Sequence, residues 1–191
     1  MPIATQSLII ANVAVFLLEV SGSGRFLDIF ALQPGANFEV WQLVTYSFLH
    51  GGLSHIFFNM FGLYMFGSDI ERLFGTRFYL AYYFVSVVVA ALCHLVITNL
   101  MGAAPVPMVG ASGGIYGLLL AFGWYFPQRR VVLLFPPIPM SARTFVIVFG
   151  AIELVLGVTG TQAGVAHFAH LGGMLGGWLM IEYRRGRFTR R

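Results

Sequence analysis

Apolar residues run along this chain in stretches too long and too continuous for the core-and-surface alternation of a soluble fold. Charge-free gaps span 1 to 18, 40 to 68, 78 to 128 and 131 to 142, and after Arg143 only Glu153 interrupts an apolar run that reaches 181. Crossing about 30 Å of hydrocarbon at about 1.5 Å per residue takes about 20 helical residues. The gap from 78 to 128 is long enough for two crossings, and Thr98, Asn99, Gly102, Pro105 and Pro107 break it in the middle. The pattern therefore predicts an all-α, polytopic membrane protein of six transmembrane helices, near 5 to 20, 53 to 69, 78 to 99, 111 to 126, 143 to 160 and 164 to 183. These fill residues 1–191 as a single domain. The one long connection, about 21 to 52, carries Phe26, Leu27, Phe30, Trp41, Tyr46 and Phe48 and is expected to lie in the membrane interface.

Composition narrows the class further. Apolar residues make up 58% of the chain and charged ones 9%, with a mean hydropathy of +0.82, where a soluble domain carries roughly 25% charge. A soluble globule, a disordered chain and a disulfide scaffold are all excluded, the last because Cys93 has no partner. Cys93 reads as a small buried apolar residue. The first segment lacks a basic leader and an Ala-x-Ala site, so it is expected to be a retained helix. All cationic side chains are arginines. Ten of them follow helices 2, 4 and 6 (Arg72, Arg77, Arg129, Arg130, Arg143, Arg184, Arg185, Arg187, Arg190 and Arg191), whereas only Arg25 lies on the other side. That bias places both termini in the cytosol, with 184–191 a basic tail. The net charge of +4 is thus a topology signal compatible with contact to anionic lipid, and no nucleic-acid partner is expected.

Polar groups at membrane depth are costly, and each is a functional candidate. Gly110-Ala111-Ser112-Gly113-Gly114 fits the G-x-S-x-G elbow of soluble hydrolases, and Ser112, Glu153 and His170 follow their Ser, acid, His order. The elbow needs a strand, a sharp turn and a helix in an α/β sheet, and the chain shows no strand pattern. A depth count is more informative. Measured from the cytosolic ends of helices 2, 4 and 6, His55, Ser112 and His170 all rise about 20 Å. His55, Asn59 and Gly62 form one stripe of helix 2, and Ser112 and Tyr116 lie one turn apart on helix 4. His170, Gly173 and Gly177 form a stripe on helix 6, whose glycines allow close approach to helix 4. Glu153 counts to about 15 Å, about one turn deeper than Ser112, and is expected to be a buried, hydrogen-bonded or protonated side chain. His167 reads as a polar residue near the outer boundary. No spacing such as His-Glu-x-x-His is present among His50, His55, His94, His167 and His170, so no metal and no cofactor are expected.

These residues resemble the rhomboid intramembrane serine proteases. His55-Ile56-Phe57-Phe58-Asn59 is similar to the family's His-x-x-x-Asn, Gly110-Ala111-Ser112-Gly113 to its Gly-x-Ser-Gly, and Ala169-His170-Leu171-Gly172-Gly173 to its Ala-His-x-x-Gly. Tyr116 matches the tyrosine that stacks on the catalytic histidine, Glu71-Arg72 the pair after helix 2, and His50 the upstream histidine. Gln42 departs from the pattern, since many members carry Trp-Arg where this chain has Trp41-Gln42.

The resemblance implies a rhomboid-like bundle in a cell inner membrane, with a Ser-His dyad opening to the outer side. Ser112 would be the nucleophile and His170 the base, with His55 and Asn59 as oxyanion donors and Tyr116, Gly110 and Gly113 in support. Its substrates would be single-span transmembrane proteins cleaved within or near the membrane. Two non-enzymatic alternatives stand beside this one: a rhomboid-like membrane binding protein, and a small transporter, which would more readily show repeated halves with interrupted helices. Topology is testable directly. Reporters fused after Arg77, Arg143 and the C-terminus should read cytosolic and one inserted in 25 to 45 external; an external C-terminus would overturn the arginine argument.

Overall fold

The computed structural model describes residues 1–22, 25–102, 106–133, 136–160 and 167–189, the stretch 187–189 by its backbone alone. Among these residues the chain is mostly helical. The helices are α1 (Ile3–Ser21), α2 (Arg25–Phe30), α3 (Gln42–Thr45), α4 (Leu53–Gly62), α5 (Ser68–Phe74), α6 (Thr76–Leu100), α7 (Ser112–Tyr125), α8 (Ala142–Thr159) and α9 (His167–Thr189). A 3₁₀ turn (Tyr46–Phe48) follows α3, and a π turn (Leu63–Gly67) joins α4 to α5. Helices α1, α6 and α8 are long and apolar enough to cross a membrane. Ala104, Pro105, the 164–166 start of the sixth expected helix, Arg190 and Arg191 lie outside the described residues, as does the side chain of Arg187.

Two expectations need correction. The connection from 21 to 52 contains the short helices α2 and α3 rather than plain loop, and an all-α description omits a ribbon. Strands β1 (Arg130–Val132) and β2 (Pro139–Ser141) pair antiparallel, Val131 opposite Met140. The β-branched pair Val131-Val132 favours extended backbone and the intervening prolines cannot continue a helix. Three residues per strand are too few to show as a periodic pattern.

The centre of the bundle is α6, α7 and α9 packed on one another. Tyr79, Tyr82, Tyr83, Val87, Ala90 and Ala91 of α6 are buried against Leu118 and Ala121 of α7. Glycine sets the spacing between α7 and α9. A Cβ on Gly173 would collide with the backbone of Gly113, and one on Gly177 would lie 3.1 Å from the Cα of Gly117, so the two helices meet backbone to backbone as small-residue contacts allow. The outward sides of α1, α4 and α8 expose Ile10, Leu17, Phe57, Ile147 and Val155. Apolar faces of that extent suit a hydrocarbon solvent. Of the three long apolar helices α8 is the least embedded, with only Ala142, Phe145, Glu153 and Gly157 buried.

Arginine side chains gather at one end of the bundle. Arg129 and Arg72 both reach Asp69, Arg184 lies 4.6 Å over the ring of Phe74, and Arg185 is 5.9 Å over Trp124. The same end holds a buried clasp. Glu71 accepts from the N–H groups of Ala4 (2.9 Å) and Thr5 (2.7 Å) at the start of α1, and from the hydroxyls of Thr5 (2.8 Å) and Thr76 (3.0 Å). Its carboxylate thus fills the role of a cap, satisfying orphan N–H groups at the positive end of α1 from another helix.

At the opposite end the segment 29–48 is pinned by Gln42. Its buried Oε1 accepts from Gln33 N and Glu39 N, each at 3.1 Å, while Nε2 donates to Ile29 O (3.3 Å) and Asn37 O (3.4 Å). Trp41 Nε1 adds a bond to Ile29 O at 3.0 Å. A neutral carboxamide therefore satisfies both its donors and its acceptor, and the segment is anchored without the arginine found in many family members.

The Glu71 clasp has a pH signature. Burial pushes its pKa up, but the four donated hydrogen bonds outweigh this and hold it below its ordinary 4.5. A carboxyl group with a depressed native pKa contributes stability above its unfolded value, and the contribution disappears as pH falls through the native value. Wild-type melting temperature should therefore drop as pH falls below 4.5. Glu71→Gln should cost about 2 kcal/mol at neutral pH and flatten that drop, as thermal unfolding in detergent at graded pH would reveal; an equally steep acid loss in the variant would disprove the assignment.

Candidate functional site

Ser112 is the first residue of α7, preceded by Gly110 and Ala111 with no side-chain cap on the helix. The chain reaches it through constrained backbone. Gly110 adopts φ +120°, a region that favours glycine, and a Cβ there would lie 2.7 Å from His55 Nε2. Gly110 N donates to Tyr46 O at 3.0 Å, and Leu32 bridges Met108, so the pinned 29–48 segment also positions the approach to Ser112. Gly113 is needed for a second reason, since a Cβ would meet Ala90 at 2.6 Å.

The close contact of α7 with α9 brings Ser112 Oγ to 2.8 Å from His170 Nε2. Tyr116, one turn along α7, stacks on the His170 imidazole with centroids 4.2 Å apart and planes within 5°. His55 and Asn59 face the same place from α4. His55 Nδ1 accepts from Gly51 N at 3.3 Å, which leaves the hydrogen on Nε2, the nitrogen turned toward Gly110. Asn59 spends one Nδ2 hydrogen on His55 O at 3.0 Å and keeps the other. All five side chains line one cavity of about 900 Å³, walled by apolar residues such as Phe66, Phe145 and Phe149. The chemistry available is that of a hydroxyl beside an imidazole acceptor, with N–H donors and an uncapped helix N-terminus around it.

A rhomboid-domain family profile matches residues 37–187. The chain belongs to the rhomboid family. It is similar to "Rhomboid protease GluP" of Bacillus subtilis, 29% identical over 85% of this chain and 31% of that protein. It is likewise similar to "Rhomboid protein 1, mitochondrial" of Saccharomyces cerevisiae, 30% identical over 92% of this chain and 54% of the relative. "Presenilin-associated rhomboid-like protein A, mitochondrial" of Danio rerio is 32% identical over 83% of this chain and 42% of its own length. This rhomboid thus spans between about a third and about a half of these relatives.

Two side chains of this rhomboid have partners that their places in the sequence did not disclose. His167 is buried, and its Nδ1 lies 2.6 Å from Glu153 Oε2. Glu153 is the buried, hydrogen-bonded side chain expected, and its carboxylate reaches the imidazole beside the serine. Its Oε2 comes within 3.0 Å of His170 Nδ1, and its Oε1 accepts the hydroxyl of Tyr116. Helix tilt and the reach of a glutamate separate the residue count from the level its carboxylate attains. The π turn below α4 distorts the same count for His55, because it inserts an extra residue into the helix. Two signals in the sequence pointed to Glu153: it is the sole acid in the apolar run after Arg143, and it falls between Ser112 and His170 in the order of hydrolase triads.

Glu153, His167 and His170 together form an acid-imidazole group whose ligand-type atoms lie within 4.8 Å of one another. A set drawn from α8 and α9 leaves no spacing signature within a single helix. Glu153 Oε2 is hydrogen-bonded with His167 Nδ1, and His170 turns its Nε2 to Ser112.

Proposed function

We propose that this rhomboid is an intramembrane serine endopeptidase that cleaves transmembrane proteins by acyl transfer. The observation carrying this reading is the 2.8 Å contact between Ser112 Oγ and His170 Nε2, made across two helices inside an apolar cavity. Ser112 attacks the scissile carbonyl and passes its proton to His170, which returns it to the leaving amine; water then releases the acyl group by the same exchange. His55 Nε2, the free Nδ2 hydrogen of Asn59 and the Ser112 backbone N–H receive the oxyanion. Gly110 and Gly113 permit the backbone to pass these groups, and Tyr116 holds the imidazole plane.

The chain is a six-span bundle in this reading, with α1, α4 together with its π turn, α6, α7, α8 and α9 as the spans. The arginine-rich end faces the cytosol of a cell inner membrane and the serine opens toward the outer side. Substrates are single-span membrane proteins whose scissile bond lies at the depth of Ser112, held among membrane lipid, and no cofactor takes part.

An activated phosphonate should label Ser112 of the purified protein, and Ser112→Ala and His170→Ala should each abolish cleavage of a transmembrane model substrate while the protein stays folded. Unlabelled Ser112 together with undiminished client binding would favour the non-catalytic binding protein instead. For the oxyanion donors, Asn59→Ala should lower turnover by roughly 10²- to 10³-fold with little change in melting temperature. His55→Ala should be milder, and the double variant should lose less than the sum because the donors share one oxygen. If Asn59→Ala loses stability while turnover per folded molecule is kept, Asn59 only packs helix α4.

A further inference from the structure

Glu153 is an expensive residue to keep where it is. It is 6% exposed on α8, the helix that otherwise turns almost entirely apolar side chains outward. An acid there persists only with partners, and its partners are specific. Oε1 accepts from the hydroxyl of Tyr116, the ring that stacks on His170, and Oε2 sits between His167 Nδ1 at 2.6 Å and His170 Nδ1 at 3.0 Å. The opposite nitrogen of His170 faces Ser112 Oγ. The imidazole of α9 therefore stands between the carboxylate of α8 and the hydroxyl of α7.

We infer that Glu153 is a positioning residue for His170, so that this rhomboid works as a serine, histidine and glutamate set rather than as a dyad alone. The inference rests on the reading of Ser112 and His170 as the reacting pair. A carboxylate at Nδ1 favours the tautomer with hydrogen on Nδ1 and leaves the Nε2 lone pair free for the serine proton. When Nε2 takes that proton the ring becomes a cation, and the fixed negative charge at Nδ1 stabilises it; Glu153 itself gains no proton. Oε2 lies close to Nδ1 but off the direction of its N–H in the unliganded site, as contacts do that align only when substrate is bound. His167 and Tyr116 keep the carboxylate from swinging away. Tyr116 thus has two tasks, stacking on the ring and holding the acid behind it.

The test uses the full chain in detergent or vesicles with a transmembrane model substrate. Glu153→Gln keeps size and the bond from Tyr116 but removes the charge, and its amide can offer N–H to Nδ1 and so reverse the tautomer. It should lower kcat by roughly 10²- to 10⁴-fold with KM unchanged. In ¹⁵N-histidine spectra His170 should carry its hydrogen on Nδ1 in the wild type and lose that form in Glu153→Gln. Glu153→Asp should restore that form and part of kcat. A Glu153→Gln protein with wild-type kcat and an unchanged His170 signal would overturn the inference, leaving Glu153 a packing residue. Should Glu153→Gln fail to fold, Glu153→Asp decides alone: its carboxylate is drawn back by one methylene, so full kcat would overturn the role and a reduced kcat with the Nδ1–H form kept would support it. Wild-type cleavage lost to a divalent-metal chelator and restored by zinc would also overturn it, since Glu153, His167 and His170 would then be metal ligands. These outcomes are separate from failure of the protease reading, in which the wild type itself neither cleaves nor labels at Ser112.

Discussion

The site depends on two helices meeting with no side chain between them. Gly113 and Gly117 on α7 face Gly173 and Gly177 on α9 so closely that a methyl group on Gly173 would run into the backbone of Gly113. In hydrocarbon no hydrophobic effect drives helices together, and dispersion between well-matched small residues must do so. The 2.8 Å contact of Ser112 with His170 is a direct consequence, because both residues lie one position or one turn from the contact.

Each end of the bundle then has its own polar fastening. At the arginine-rich end Glu71 joins α1, α5 and α6 through four hydrogen bonds, two of them to orphan N–H groups of α1. At the other end Gln42 gathers the segment 29–48 through four bonds to backbone, and that segment in turn holds Met108 and Gly110 just before the serine. The departure from Trp-Arg to Trp41-Gln42 is therefore a change of chemistry with the anchoring kept. Both fastenings are buried and fully paired, which is what allows polar side chains there at little cost.

Glu153 ties the contact of Ser112 with His170 to a helix that otherwise looks outward. Tyr116, His167 and His170 converge on one carboxylate, so α7, α8 and α9 share a polar knot beside the large apolar cavity. A knot at the wall's edge fixes the imidazole without filling the cavity.

Much of this protein was determined by sequence alone. Hydrocarbon thickness acts on uninterrupted apolar length, so the helical stretches were legible from the gaps between charges. The stripes His55-Asn59, Ser112-Tyr116 and His170-Gly173-Gly177 followed from helical periodicity within single segments. What could not be read were relations between segments. Tilt and side-chain reach decided that Glu153 of α8 stands beside His170, and burial among neighbours turned His167 inward. The π turn at Leu63–Gly67 and the short ribbon of Arg130–Val132 with Pro139–Ser141 likewise depend on contacts from other elements. Periodicity reports which side of a helix a residue occupies; only the packed structure decides which helix that side meets, because tilt, rotation and axial shift are set jointly by all the neighbours at once.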